Sequence, residues 1–296
     1  MKRISFHDQI SWNKYKSFFL IFTIFVVLIL LGYIIGLIYV DSFFFIMIIA
    51  IIFSILYIIN GFYNSDKIAL ASVSARPASR HDYPRYHNLV EGLCIASGMP
   101  KPKLWIMQSN QINAFATGRD PRHSAICVTT GCLDKLNRVE LEGVLSHELS
   151  HIANYDIRFM TMTAVLVGMI AIISQIFLRS LWFRGGGGSR DDKGKGMLLL
   201  IGLALAILAP IFVQLVQLGI SRKREYMADA SAVKFARYPN GLINALKKIQ
   251  HEHEPAKQVS KAVAPLFMSD PLRRKASGLF MTHPPIAKRI QVLQRM

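Results

Sequence analysis

Four long apolar runs divide this chain, and their spacing sets the architecture to expect. Ser17 to Val40 carries no charged residue and is long enough, at helical rise, to cross a bilayer. Phe43 to Ile59 follows after a link whose only charge is Asp41. Phe159 to Leu178 and Met197 to Ile220 form a second apolar pair. The plan is therefore a basic tail (1–16), a membrane hairpin (17–59), a soluble piece (60–158), a second hairpin (159–220) and a final soluble piece (221–296). Residues 181–196 link the second pair and contain the flexible stretch Gly185 to Ser189. That loop is basic, which leaves open a shallow, re-entrant second hairpin.

Between the apolar runs the pattern changes. Tyr86 to Ser97 has helical periodicity and stops at Gly98-Met99-Pro100. Short strand-like runs follow at Lys103 to Met107, Asn113 to Thr117 and Ala125 to Thr129. Asn137 to Ala153 is helical with Asn137 as its N-cap, and further helices are expected up to about Phe235, at Gly241 to His251 and at Pro285 to Leu293. The fold class is α+β and mostly helical: four apolar helices in two hairpins, with a soluble domain holding a small β-sheet.

Composition supports a membrane protein. Hydrophobic residues make up 52% and charged residues only 18%, below the usual quarter of a soluble domain. The net charge of +17 would suit nucleic acid, but no nucleic-acid motif is present and the basic residues gather beside the apolar runs. Lys2, Arg3, Lys14 and Lys16 precede the first run, and Lys67, Arg76, Arg80 and Arg85 follow the second. This places both flanks in the cytoplasm. The runs contain no Asp, Glu, Lys, Arg or His, which argues against an ion or proton transporter. Gly32 and Gly36 form one G-x-x-x-G, more often a helix-packing feature than a dimer signal. Cys94, Cys127 and Cys132 are odd in number and lack C-x-x-C spacing, so neither a disulfide framework nor a thiolate metal site is expected.

The chemistry centres on His147-Glu148-Leu149-Ser150-His151. Two imidazoles four apart share one helix face and reach one metal ion, and the intervening glutamate can act as a base beside the open coordination position. Catalytic zinc takes a third protein ligand, and Glu225 is the candidate, about 7 Å beyond the fourth apolar run. If the second hairpin brings its ends together, Glu225 meets the histidines at the membrane surface. Asp229, one turn later, suits the free ring nitrogen of a zinc histidine. Asn154 and Asp156 each have two readings: support for the site, or a helix cap (Asn154) and an ion pair with Arg158 (Asp156). His251 and His253 read as a solvated helix end.

In these motifs the chain resembles the HtpX membrane metallopeptidases, relatives of the prenyl-protein endopeptidases. The resemblance runs through Asn113 to Gly118, His147 to Asp156, Glu225 to Asp229, and Thr282-His283-Pro284-Pro285 with Arg289. It implies one zinc ion per chain held by His147, His151 and Glu225, with Glu148 as general base and Asp229 in support. It further implies a bacterial inner-membrane enzyme whose catalytic domain faces the cytoplasm and whose polypeptide substrates are damaged or misassembled membrane proteins. By the same resemblance, Asn113, Ala114, Phe115 and Ala116 form an exposed sheet edge that could bind extended substrate, and His283 and Arg289 could donate to the oxyanion. The alternatives are a prenyl-protein endopeptidase, or a non-catalytic membrane scaffold or transporter.

Overall fold

The computed structural model describes residues 6–38, 40–164, 222–252, 259, 263–269, 271 and 284–296. Helix α1 (Phe6–Ile38) and helix α2 (Phe43–Ser72) form a hairpin closed by a short 3₁₀ turn at Val40–Ser42. The stretch expected as a tail is thus helical from Phe6, and α2 runs well past Ile59. Windows of both helices, Ser11–Leu30 and Phe43–Ser72, are apolar and long enough to cross a membrane. Their apolar side chains face outward, with Phe44 82% exposed. A helix that is hydrophobic on the side it shows to its surroundings is stable in lipid and not in water. A Cβ added at Gly32 would sit 2.3 Å from Ala50 Cβ, so this glycine serves the packing of α1 on α2. The third and fourth expected runs lie outside the described residues beyond position 164, as do the 181–196 loop and His283.

Helix α3 (Pro84–Ser97) ends at Gly98, whose φ of +70° supplies the left-handed cap that glycine adopts without strain. A four-stranded mixed sheet follows: β1 (Arg76–Pro77), β2 (Lys103–Met107), β3 (Ala114–Asp120) and β4 (His123–Thr129), in the order β1-β2-β4-β3. The β3–β4 hairpin is antiparallel, and β2 pairs parallel to β4. One sheet face packs Leu104, Ile106, Ile126 and Val128 against α3 and α5. The other packs Met107, Phe115 and Cys127 against Leu70 and Val73 of α2 and against residues 263–267. The membrane hairpin is therefore part of the core of the soluble domain.

After the short α4 (Thr130–Lys135) comes α5 (Arg138–Ala153), opened by a reciprocal capping box between Asn137 and Glu140. It is buried on all sides from Gly143 to Ala153. Residues 156–164 are again helical. Helices α6 (Arg222–Ala236), α7 (Pro239–His251) and α8 (Ile286–Leu293) complete the described fold. Helix α7 crosses α5 so closely that a Cβ on Gly143 would lie 2.4 Å from the Leu242 nitrogen. All three cysteines are free and buried, consistent with simple packing roles.

Candidate metal centre

Helix α5 presents His147 and His151 one turn apart, and α6 brings Glu225 to meet them. The two Nε2 atoms lie 3.2 Å apart, His147 Nε2 is 3.7 Å from Glu225 Oε2, and His151 Nε2 is 3.6 Å from Glu225 Oε1. Bonds of about 2.0–2.1 Å in tetrahedral array separate ligand atoms by about 3.3 Å, so these groups are spaced as one zinc-sized ion requires. They form a buried candidate metal cluster. Glu148 stands beside it. Its Oε2 is buried with no hydrogen-bond partner. A buried carboxylate oxygen left unsatisfied is costly, and a water or cation at the cluster would relieve it.

Each imidazole turns its other nitrogen to a carboxylate. His147 Nδ1 lies 3.0 Å from Asp229 Oδ1, and His151 Nδ1 lies 3.1 Å from Asp156 Oδ2. An Nδ1–H given to a carboxylate leaves the Nε2 lone pair for a metal and raises its basicity. Asp156 thus serves His151. Arg158 does not pair with it but donates through Nε to the Arg119 carbonyl. Asn154 is the C-cap residue of α5, and its Oδ1 is buried with no hydrogen-bond partner.

Arg289 is buried at the back of the cluster. It reaches Asp229 through Nε and Nη2 at 2.9 and 2.6 Å, the Met268 carbonyl through Nη1 at 3.3 Å, and Glu225 Oε2 through Nη1 at 3.4 Å. One of these partners is a candidate ligand and another faces His147 Nδ1, and Nη2 also comes within 3.4 Å of both His147 nitrogens, so the described geometry gives Arg289 a bracing place. The other expected oxyanion donor, His283, lies outside the described residues.

The charges follow this layout. Burial raises the Glu148 pKa to about 7, with Glu225 adding to the shift. Burial also lowers that of His147, helped by Arg289 and His151 and opposed by Asp229. For His151 burial works against the charge, but Asp156, Glu225 and Glu148 together raise the pKa to about 9. Asp229 is held below its ordinary value because Arg289 and His147 outweigh its burial.

The expected substrate strand departs from expectation in one respect. β3 is a sheet edge by topology, yet Asn113 to Ala116 are buried. The Met268 N–H bonds the Ala114 carbonyl at 2.9 Å, and the Asn113 amide exchanges two bonds with the Ser269 main chain. Phe267 packs on Phe115 with ring centroids 4.8 Å apart. A free strand edge buried beside a helix needs partners, and residues 267–269 supply them. The alternating run from Asn113 to Thr117 gives no sign of what covers the strand.

Two more residues belong to the site and were not singled out by sequence. Asn13 reaches Asp156 from α1, and the Met268 carbonyl meets Arg289. A lone amide just ahead of an apolar run carries no local signal for either contact.

Comparison with known proteins agrees with this chemistry. The chain belongs to peptidase family M48, a metallopeptidase family whose model matches residues 80–296, the stretch that supplies both histidines and all the carboxylates of the cluster. It is a membrane metallopeptidase. Over 248 residues it is 48% identical to a protease HtpX homolog of Caldanaerobacter subterraneus subsp. tengcongensis, covering 83% of each chain. A protease HtpX homolog of Dictyoglomus thermophilum is 41% identical over 297 residues, covering 100% of this chain and 96% of that one. The crystal structure of S. mikatae Ste24p superposes with a TM-score of 0.46 at 20% identity, covering 95% of this chain and 65% of that one. With the family established, the scaffold and transporter alternatives fall away.

Proposed function

We propose that this protein is a zinc endopeptidase, with one ion per chain held by His147, His151 and Glu225 and with Glu148 as general base. The observation that carries this reading is the 3.2–3.7 Å spacing of the three ligand groups beside a carboxylate oxygen that lacks a partner. Zinc, when bound, supplies Lewis acidity that brings the pKa of a water toward about 7 and draws charge from the scissile carbonyl. Glu148 takes the proton released as water attacks and passes it to the leaving amine. Asp229 and Asp156 hold the imidazoles in the tautomer that ligates. Arg289 orients Asp229 and Glu225, and its committed donors support positioning in place of oxyanion donation. The oxyanion role expected of His283 rests on the resemblance alone.

Extended polypeptide pairs along β3 at Asn113, Ala114, Phe115 and Ala116, a mode that reads main chain and tolerates many sequences. Residues 267–269 must leave the edge for that pairing. The substrates are damaged or misfolded membrane proteins. The enzyme is a multi-pass protein of a bacterial inner membrane, with the catalytic domain in the cytoplasm. The exposed aromatics Trp12 and Tyr15, beside Lys14 and Lys16, support a membrane surface at the start of α1. Metal analysis tests the reading: purified protein holds one zinc per chain and Glu225→Ala holds far less. Equal zinc in both would remove Glu225 from the ligand set.

A further inference from the structure

The helix that enters the membrane first also reaches the metal centre. Asn13, on α1, is 5% exposed and lies 141 and 143 residues from its two partners in sequence. Its Nδ2 donates to the Asn154 carbonyl at 3.0 Å and to Asp156 Oδ1 at 2.7 Å. The other oxygen of the same carboxylate, Asp156 Oδ2, faces His151 Nδ1 at 3.1 Å. One carboxylate is thus stretched between an amide from the membrane hairpin and a candidate zinc ligand.

We infer that Asn13 is a positioning residue for the metal centre, holding Asp156 beneath His151 so that the imidazole presents Nε2 to the ion. The inference rests on the zinc reading above.

The local geometry needs such a hold. Helix α5 ends at Asn154, and Tyr155 takes a φ of +58°, a left-handed conformation that aromatic residues rarely adopt. That single residue turns the chain so that Asp156 comes back under the last turn of α5. Lys14 sits 4.7 Å over the Tyr155 ring, so α1 grips both the turn and the carboxylate that follows it. Asp156 is 1% exposed, and water cannot take over a lost hydrogen bond there. Two cationic groups also act on this carboxylate, Arg224 through Nη1 at 3.7 Å and Lys16 through its charge.

The choice of an amide is chemically apt. A neutral donor orients the carboxylate but leaves its charge for the imidazole, which keeps the ligand basic. A lysine at the same distance would claim that charge for itself. The bond to the Asn154 carbonyl alone would be ordinary helix-end capping; the shorter bond to Asp156 links α1 to the metal.

The test uses the full chain in detergent, stripped with a chelator and titrated with zinc against a fluorescent competitor. Wild type must bind one zinc per chain; failure there sinks the zinc reading, whatever Asn13 does. Asn13→Leu, similar in shape but without donors, is expected to weaken binding by about tenfold, the lower end for groups behind a ligand. Asn13→Ser, which keeps a donor, should lose less, and it carries the comparison if the leucine variant does not fold. In an Asp156→Asn background the Asn13 substitution should cause no further loss, because its effect passes through that carboxylate. Wild-type affinity in Asn13→Leu and Asn13→Ser, or an equal additional loss in the Asp156→Asn background, overturns the inference.

Discussion

Arg289 grips Asp229 at two points, Nε to Oδ2 at 2.9 Å and Nη2 to Oδ1 at 2.6 Å, and that same Oδ1 lies 3.0 Å from His147 Nδ1. The pair is fully buried, so its members depend on each other far more than surface ions do. Its geometry also uses the planar fork of arginine, which lysine lacks.

Arg289→Ala should therefore destabilise the protein by about 3–5 kcal/mol, because Asp229 is left as an uncompensated buried charge. Arg289→Lys keeps the charge but only one of the two bonds, and should fall between. Denaturant midpoints in detergent check the order; a lysine variant as stable as wild type would mean that the fork geometry is unimportant.

Glu148→Gln is close in shape and removes only the proton acceptor. Zinc content should stay at the wild-type value while hydrolysis of an unfolded protein drops by about 10²–10⁴-fold. Turnover near wild type would remove Glu148 from the base role.

Zinc uptake by stripped protein should depend on pH through His151. Its pKa in the stripped protein is about 9, because Asp156, Glu225 and Glu148 outweigh its burial. Below that pH the ring is mostly protonated and must lose the proton to ligate. Apparent affinity should then rise by about tenfold per unit from pH 7 to 9 and level off above, with a proton released in a weakly buffered titration. An affinity that is flat across this range would show that His151 is neutral before zinc arrives.

Gly143→Val tests the support beneath the zinc helix. A Cβ there meets the Leu242 nitrogen at 2.4 Å and the Gly241 carbonyl carbon at 2.8 Å, main-chain atoms that cannot rotate aside. Overpacking of this kind costs about 1–3 kcal/mol or more, and the displaced α5 should also bind zinc more weakly. Thermal unfolding followed with and without zinc reads both effects.

Much of the fold was legible. The N-cap at Asn137, the Gly98 stop and the strand-like runs bounded by turn residues are local signals, and the elements formed close to the expected bounds. Less legible were contacts made at a distance. The amide of Asn13 lies in a stretch that reads only as basic, and its partner is the carboxylate at position 156, for which spacing alone suggested Arg158 equally well. The edge of β3 looked open because nothing local announces that residues 267–269 come to cover it.

Sequence by itself determined the histidine pair on one helix face, the carboxylate between them, and two apolar helices able to span a bilayer, because helix period and hydropathy act over a few turns. Tertiary structure decided which carboxylate stands behind which histidine, and that Arg289 braces Asp229 while Asn13 holds Asp156. Those pairings depend on where α1, α6 and α8 cross α5. The crossings are set by the close packing of the whole core, which no short stretch of chain encodes.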